Sequence, residues 1–194
     1  MKNSIRIALI KTVPEKGNLS KNHRTLIRLL DDIGVEAVDV VVTPECFLDG
    51  YVCTREEVTE ETIHEYAIDP NTSAAIQEAK EWANAAKTWL ILGCMRIEST
   101  GNATGDAPGI YNTSLAIDRS GSIAGIFDKV HCQTHDRKYN AGASLPVFES
   151  DFGRFGMMIC ADRRWPETVR TLAIQGARII FNPTYGMHDE RNLR

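Results

Sequence analysis

A layered α/β fold is predicted by three features of the sequence. Short β-rich runs alternate with segments of helical apolar period, two of the apolar runs (38–45 and 89–97) are nearly continuous, and polar or Gly-containing connections separate them. Such alternation argues against an all-α or all-β chain. The 194 residues suit a single domain over 1–194, and no internal repeat, low-complexity tract or linker divides them. A chain of this length buries about 70% of its unfolded surface, so its core needs neither metal nor disulfide.

SIRIALIKT reads as the first strand, with Ile5, Ile7 and Leu9 forming one strongly apolar face. From Asn18 to Gly34 the apolar residues Leu19, Leu26, Leu30 and Ile33 recur at helical spacing, with Asn18 or Ser20 to cap the start and Gly34 to end it. VDVVVTPE (38–45) is a β-branched run too short for most helices. It reads as a strand buried on both sides and stopped at Pro44, which leaves Glu45 just beyond its end. After an acidic stretch at 55–65, Asn71, Thr72 and Ser73 precede a helix with Ile76, Ala79, Trp82, Ala83 and Ala86 on one face.

WLILGCMRI (89–97) follows as a strand, and STGNATGDAPG as a polar loop whose glycines lack the spacing of a phosphate-binding fingerprint. IYNTSLAID and IAGIFDK, joined by RSGS, form a predicted hairpin with Lys129 at the end of its second arm. Residues 131–146 read as mostly irregular, then PVFES and RFGMMIC as a strand pair with Cys160 at its end. Pro166 suits the first position of a helix whose apolar stripe is Val169, Leu172 and Ala173, up to Gly176, and ARIIFN is the last strand. Trp82, Trp89 and Trp165 are expected to pack rather than to bind ligand.

Composition narrows the partners. A formal charge of -4, from 22 Lys and Arg against 26 Asp and Glu, leaves no basic surplus for phosphates, so no nucleic-acid partner is expected. No apolar run approaches the ~20 residues of a membrane span, and the start carries no secretory cleavage pattern. A cytoplasmic protein without a membrane partner is expected. The five cysteines (Cys46, Cys53, Cys94, Cys132, Cys160) contain no CxxC pair, which suggests neither a disulfide framework nor a zinc site.

Glu45, Lys129 and Cys160 each fall where a strand gives way to a loop or helix, and in layered α/β folds such ends present side chains to one crevice. Taken singly, each is an ordinary loop charge or core thiol. Together they make a chemical set. A thiol with its ordinary pKa of about 8.5 is mostly protonated at neutral pH and needs a base or a cation beside it, roles open to Glu45 and Lys129.

The segments TPECFLDGY, DKVH and ICADRRWPE, in that order, resemble the catalytic strands of the carbon-nitrogen hydrolase (nitrilase) superfamily. The resemblance implies a four-layer αββα sandwich. It also implies Glu45 as general base, Lys129 as electrostatic stabiliser and Cys160 as nucleophile, with Lys129 and the Ala161 N–H holding the oxyanion. No metal or organic cofactor is expected. Asp136 stands where many members carry a second Glu that positions substrate and lysine; an inward-moving loop would let it fill that role, and a turn cap or a pair with Arg137 is the alternative.

The stretch DRRWPE is similar to that of the N-carbamoyl-D-amino-acid amidohydrolases, which implies that Arg163 and Arg164 bind a substrate carboxylate; local pairing with Asp162 and Glu167 is the alternative. Those relatives usually carry Asn where this chain has Ala161. His131 is a candidate substrate contact, His135 a loop histidine, Cys46 a packing residue, and Asn182, Pro183 and Thr184 candidate pocket residues.

The expected activity is cleavage of an amide or N-carbamoyl carbon-nitrogen bond in a small molecule. Nitrilases more often resemble a pattern with Trp-Glu after the cysteine, where this chain has Ala161 and Asp162. Nitrile hydrolysis and a catalytically silent interaction module remain the alternatives. A papain-like Cys–His reading through His131 or His188 lacks the nucleophile's context. Members of the superfamily continue past the position of Arg194, so the fold is expected to be incomplete at the C-terminus, and a homo-oligomer is expected of the full-length fold.

Overall fold

The computed structural model describes residues 4–33, 38–98 and 108–186. The elements run β1 (Ile7–Leu9), α1 (Leu19–Ile33), β2 (Val40–Val42), α2 (Ala74–Ala86), β3 (Trp89–Ile97), β4 (Ile110–Ile117), β5 (Ile123–Asp128), β6 (Val147–Phe148), β7 (Phe155–Met157), α3 (Pro166–Ile174) and β8 (Ile179–Phe181). Asn18 caps α1 by accepting the Lys21 N–H at 3.1 Å. Gly34, most of the Gly-rich loop and His188 lie outside the described residues.

β1 to β5 form one sheet in sequence order, parallel from β1 to β3 and antiparallel from β3 to β5. β6, β7 and β8 form a second, with β6 antiparallel and β8 parallel to β7. The period of two along β3 sends Leu90 and Leu92 to one side and Ile91 to the other. Leu90 and Leu92 join Leu26 and Leu30 of α1 and Ile76, Ala79 and Ala83 of α2, while Ile91 joins Phe155, Met157 and Phe181 of the second sheet. On the far side of that sheet Leu172 of α3 sits over Gly156, where an added Cβ would lie 3.0 Å from its methyls. Helices, sheet, sheet and helix therefore stack as the αββα sandwich.

Two expectations need correction. The apolar face of β1 is only partly covered: Ile5 packs against the inter-sheet core, but Ile7 is 42% and Leu9 74% exposed, whereas Ala8 and Ile10 pack beneath α1 and α2. Ile7 and Leu9 pair in register with Val40 and Val42, so they share the inter-sheet face. Among the described residues the second sheet has three strands, and neither Ile7 nor Leu9 joins its core cluster. The last strand before the thiol is also shorter than RFGMMIC suggests: β7 stops at Met157, and Cys160 opens a 3-10 turn, Cys160–Arg164.

Candidate active site

Pro44 ends the β2 segment, and the chain turns so tightly against β3 that a Cβ on Gly93 would lie 2.3 Å from the Pro44 carbonyl. Thr43 Oγ1 accepts the Gly93 N–H at 2.9 Å and fixes this approach. Glu45 is thereby held inside, 1% exposed. Its Oε1 accepts from Asn112 Nδ2 at 2.8 Å and Lys129 Nζ at 2.9 Å, and its Oε2 from the Tyr185 N–H at 3.0 Å.

Lys129 follows β5, its backbone pinned by Asn112 O and by the Gly142 N–H. Its ammonium bridges Glu45 and Asp136, at 2.9 and 2.8 Å, with its side chain 1% exposed. A lone ammonium at this depth would lose its charge or unfold its surroundings. Burial does oppose the charge, but Glu45 and Asp136 outweigh it and hold the ammonium well above the ordinary lysine range.

Asp136 is fully buried in the 3-10 turn Thr134–Asp136. Its Oδ1 accepts from Tyr51 Oη at 2.6 Å and its Oδ2 from the Gln133 N–H at 2.9 Å as well as from Lys129. Among the described residues it forms no ion pair with Arg137.

Cys160 is half-buried at φ 43°, a left-handed conformation rare for a side chain of this kind. Its own N–H is engaged by Pro183 O at 3.0 Å. Burial, then the Glu45 charge, push its thiol up; a hydrogen bond from Arg163 and the Lys129 ammonium pull the other way. The resting sulfur is therefore protonated at neutral pH. The other cysteines are worse nucleophiles: Cys46 is fully buried with its thiol pushed far up by burial, and burial drives Cys53 to about 12 and Cys132 to about 11.

The sequence-predicted substrate residues divide. Asp162 is fully buried and does not pair with Arg163 or Arg164. Its Oδ1 instead takes the His131 N–H and Nδ1, both at 2.8 Å, and its Oδ2 the Ile159 N–H at 2.9 Å. This ties the Cys160 turn to the loop after Lys129. His131, Gln133, His135, Arg164 and Trp165 line a cavity of about 770 Å³ beside that turn. Arg163 is not among its walls. Trp165 is 52% exposed and stacks on the His131 ring at 5.1 Å, so it is a cavity wall rather than the packing residue expected.

A second cavity of about 530 Å³ is lined by Tyr51, Tyr185, Val13 and His135. Ala161 is buried in the first turn after the thiol, where helix geometry gives its N–H no acceptor within the turn. Asn182 Oδ1 is buried without a hydrogen-bond partner among the described residues.

Sequence reasoning missed Asn112, Tyr51, Asp162 and Tyr185 as supports. One signal was available: Asn112, Thr113 and Ser114 interrupt an otherwise apolar strand, and buried polar residues call for a partner.

A profile of the carbon-nitrogen hydrolase family matches residues 6–193. The chain belongs to the carbon-nitrogen hydrolase family. A nitrilase of Pyrococcus abyssi is 28% identical over 182 residues, 92% of this chain and 64% of that protein. An N-carbamoylputrescine amidase of Solanum lycopersicum is 27% identical, over 86% of this chain and 54% of the relative. Among solved structures of the superfamily, Saccharomyces cerevisiae Nit3 superimposes with a TM-score of 0.70 at 26% identity, over 93% of this chain and 64% of its own. The chain thus spans less than two thirds of each. Among the described residues no helix is long and apolar enough to cross a membrane.

Proposed function

We propose that this carbon-nitrogen hydrolase chain cleaves the amide or N-carbamoyl bond of a small molecule through a thioester on Cys160. The observation that carries the reading is the buried Lys129 ammonium, clamped by Glu45 and Asp136 within electrostatic reach of the Cys160 thiol. An ammonium has three N–H donors and these carboxylates use two, which leaves one for a developing oxyanion.

In the proposed reaction Glu45 takes the thiol proton as the sulfur attacks the carbonyl carbon. Lys129 Nζ and the Ala161 N–H stabilise the oxyanion, a service typically worth ~3 kcal/mol per donor. Glu45 returns the proton to the departing nitrogen, the carbon-nitrogen bond breaks, and ammonia or an amine leaves. Glu45 then deprotonates a water that attacks the thioester, and the carbon-sulfur bond breaks to restore the thiol. Asp136 positions Lys129 throughout. No step calls for a metal or an organic cofactor.

Glu45, Lys129 and Cys160 do not line the 770 Å³ cavity, and its link to the thiol is Arg164, which shares the 3-10 turn with Cys160. Arg164 is the residue that supports binding of a substrate carboxylate, with His131 held by Asp162 as a second polar contact and Trp165 as an apolar wall. Asn182 Oδ1 is an unsatisfied acceptor suited to a substrate amide N–H. An N-carbamoyl amino acid combines both features, and the similarity to an N-carbamoylputrescine amidase favours ureido chemistry.

Incubating the protein with simple amides and N-carbamoyl amino acids, then locating any acyl adduct by peptide mass, tests the reading. An adduct on Cys160 and ammonia release abolished in Cys160→Ala are expected. No adduct and no turnover across the panel would leave a folded, silent member of the family. Carboxylate preference unchanged in Arg164→Ala would remove the N-carbamoyl amino acid assignment and keep amide hydrolysis.

A further inference from the structure

The cation beside the nucleophile is expected at Lys129, yet the Lys129 ammonium is bound at short range to two carboxylates. A different positive group touches the sulfur. Arg163 turns back over its own turn: Nη1 donates to Cys160 O at 2.8 Å and to Cys160 Sγ at 3.5 Å, within hydrogen-bond reach for sulfur. The carbonyl contact anchors the guanidinium, so the sulfur contact does not depend on a freely swinging side chain. Arg164, one residue on, lines the cavity and makes no contact of this kind.

We infer that Arg163 is a catalytic residue that stabilises the Cys160 thiolate as it forms on loss of its proton to Glu45, and that the paired arginines therefore have separate tasks. The inference rests on the reading of Cys160 as nucleophile. Other sources of thiolate stabilisation are weak at this position. The Cys160 N–H is committed to Pro183 O, and the turn that Cys160 opens is a five-residue 3-10 segment with little dipole to offer. Glu45, the second-largest cause pushing the thiol up, opposes the sulfur anion for as long as it is itself ionised.

The step balances without another reactant. The S–H bond breaks and its proton goes to the Glu45 carboxylate, whose charge disappears as the sulfur's appears. The negative charge thus moves from beside Lys129 to beside Arg163. Three influences draw the thiol pKa down: the Arg163 hydrogen bond first, then the Lys129 charge, then the Arg163 charge. A guanidinium suits the task because it stays charged at every relevant pH and presents fixed N–H directions.

The test is the pH dependence of Cys160 alkylation by iodoacetamide, in which the sulfur–carbon bond forms as iodide leaves. Adducts are located by peptide mass in the wild type, Arg163→Met, Arg163→Lys and Arg164→Met. Arg163 is exposed, so these variants are expected to fold, and circular dichroism checks it.

The expected result is an alkylation midpoint raised by about 0.5–1 pH unit in Arg163→Met, the lower end of the range for a nearby charge because solvent screens it. Arg163→Lys should recover part of the shift, Arg164→Met should titrate like the wild type, and added salt should narrow the difference. An unchanged midpoint in Arg163→Met, or an equal shift in Arg164→Met, would overturn the inference. Ammonia release that survives Cys160→Ala would instead overturn the reading of Cys160 as nucleophile, and the midpoint measurement identifies which of the two has failed.

Discussion

At the scale of single residues, three buried carboxylates differ in the partners their surroundings give them. Glu45 and Asp136 share one ammonium. Asp49, four residues beyond Glu45, is equally buried but meets backbone N–H groups, among them those of Met95 and Val52 at 2.8 and 3.3 Å, in place of a cation. Burial pushes its carboxyl up to about 7. The folded state therefore binds a proton that the unfolded chain releases near pH 4. This stabilisation is complete below the unfolded value, falls as pH rises, and is gone above pH 7. Asp49→Asn, which keeps an acceptor for one N–H, should lose that slope: relative to the wild type it should gain stability between pH 4 and pH 8, by at most roughly 4 kcal/mol. Urea unfolding of both proteins across that range measures it, and parallel curves would rule it out. Sequence marks Glu45, Lys129 and Cys160 well, because each charge or thiol terminates an apolar run. It does not mark Asp49 or Tyr51, whose roles depend on a loop closing over them.

At the scale of elements, the strands position the site by how closely they let their neighbours approach. β3 carries Gly93 where the Glu45 turn crosses it, and an added Cβ would meet Pro44 O at 2.3 Å and Cys46 N at 2.9 Å. Both obstacles are backbone, so the turn itself would have to move. Gly93→Ala should therefore cost about 1–3 kcal/mol by overpacking, and turnover per folded molecule should drop by ~10-fold as Glu45 shifts from Lys129. Denaturation midpoint and turnover, compared with the wild type, check both effects; a variant that matches it in both would show the turn to be free to move. The glycine is visible in WLILGCMRI, but the reason for it is not, since the crossing chain comes from 44–46. β1 shows the same gap in reverse. Its alternation gives the strand correctly, yet how fully each face is covered depends on the layers packed against it, and no local pattern encodes that.

At the scale of the whole molecule, the site straddles two sheets. Glu45 and Lys129 leave the first after β2 and β5, while Cys160 and Tyr185 leave the second after β7 and β8. At the site the hydrogen bonds that cross between them run from the Tyr185 N–H to Glu45 and from His131 to Asp162, and Trp89 and Arg119 add a crossing to Asp151. The sheets' mutual packing must supply the remaining precision. Phe155 sits at the centre of it, fully buried, with the rings of Trp89, Phe148, Phe152 and Phe181 at 5.6, 5.5, 5.7 and 5.5 Å. Leu26 is as deeply buried, but between α1 and the outer face of the first sheet. Phe155→Leu and Leu26→Val should each cost about 1–3 kcal/mol through lost contacts and a partial cavity. Their effects on chemistry should differ. Well below the unfolding midpoint, Phe155→Leu should slow acylation of Cys160 by about 10-fold, because a small shift of one sheet misplaces the sulfur from the Glu45–Lys129 pair. Leu26→Val, whose cavity lies outside the sandwich interior, should leave the rate within about twofold of wild type. Equal losses in both variants, measured as acyl-enzyme formed per folded molecule, would mean that activity follows global stability and that sheet-on-sheet packing has no separate part in aligning the groups.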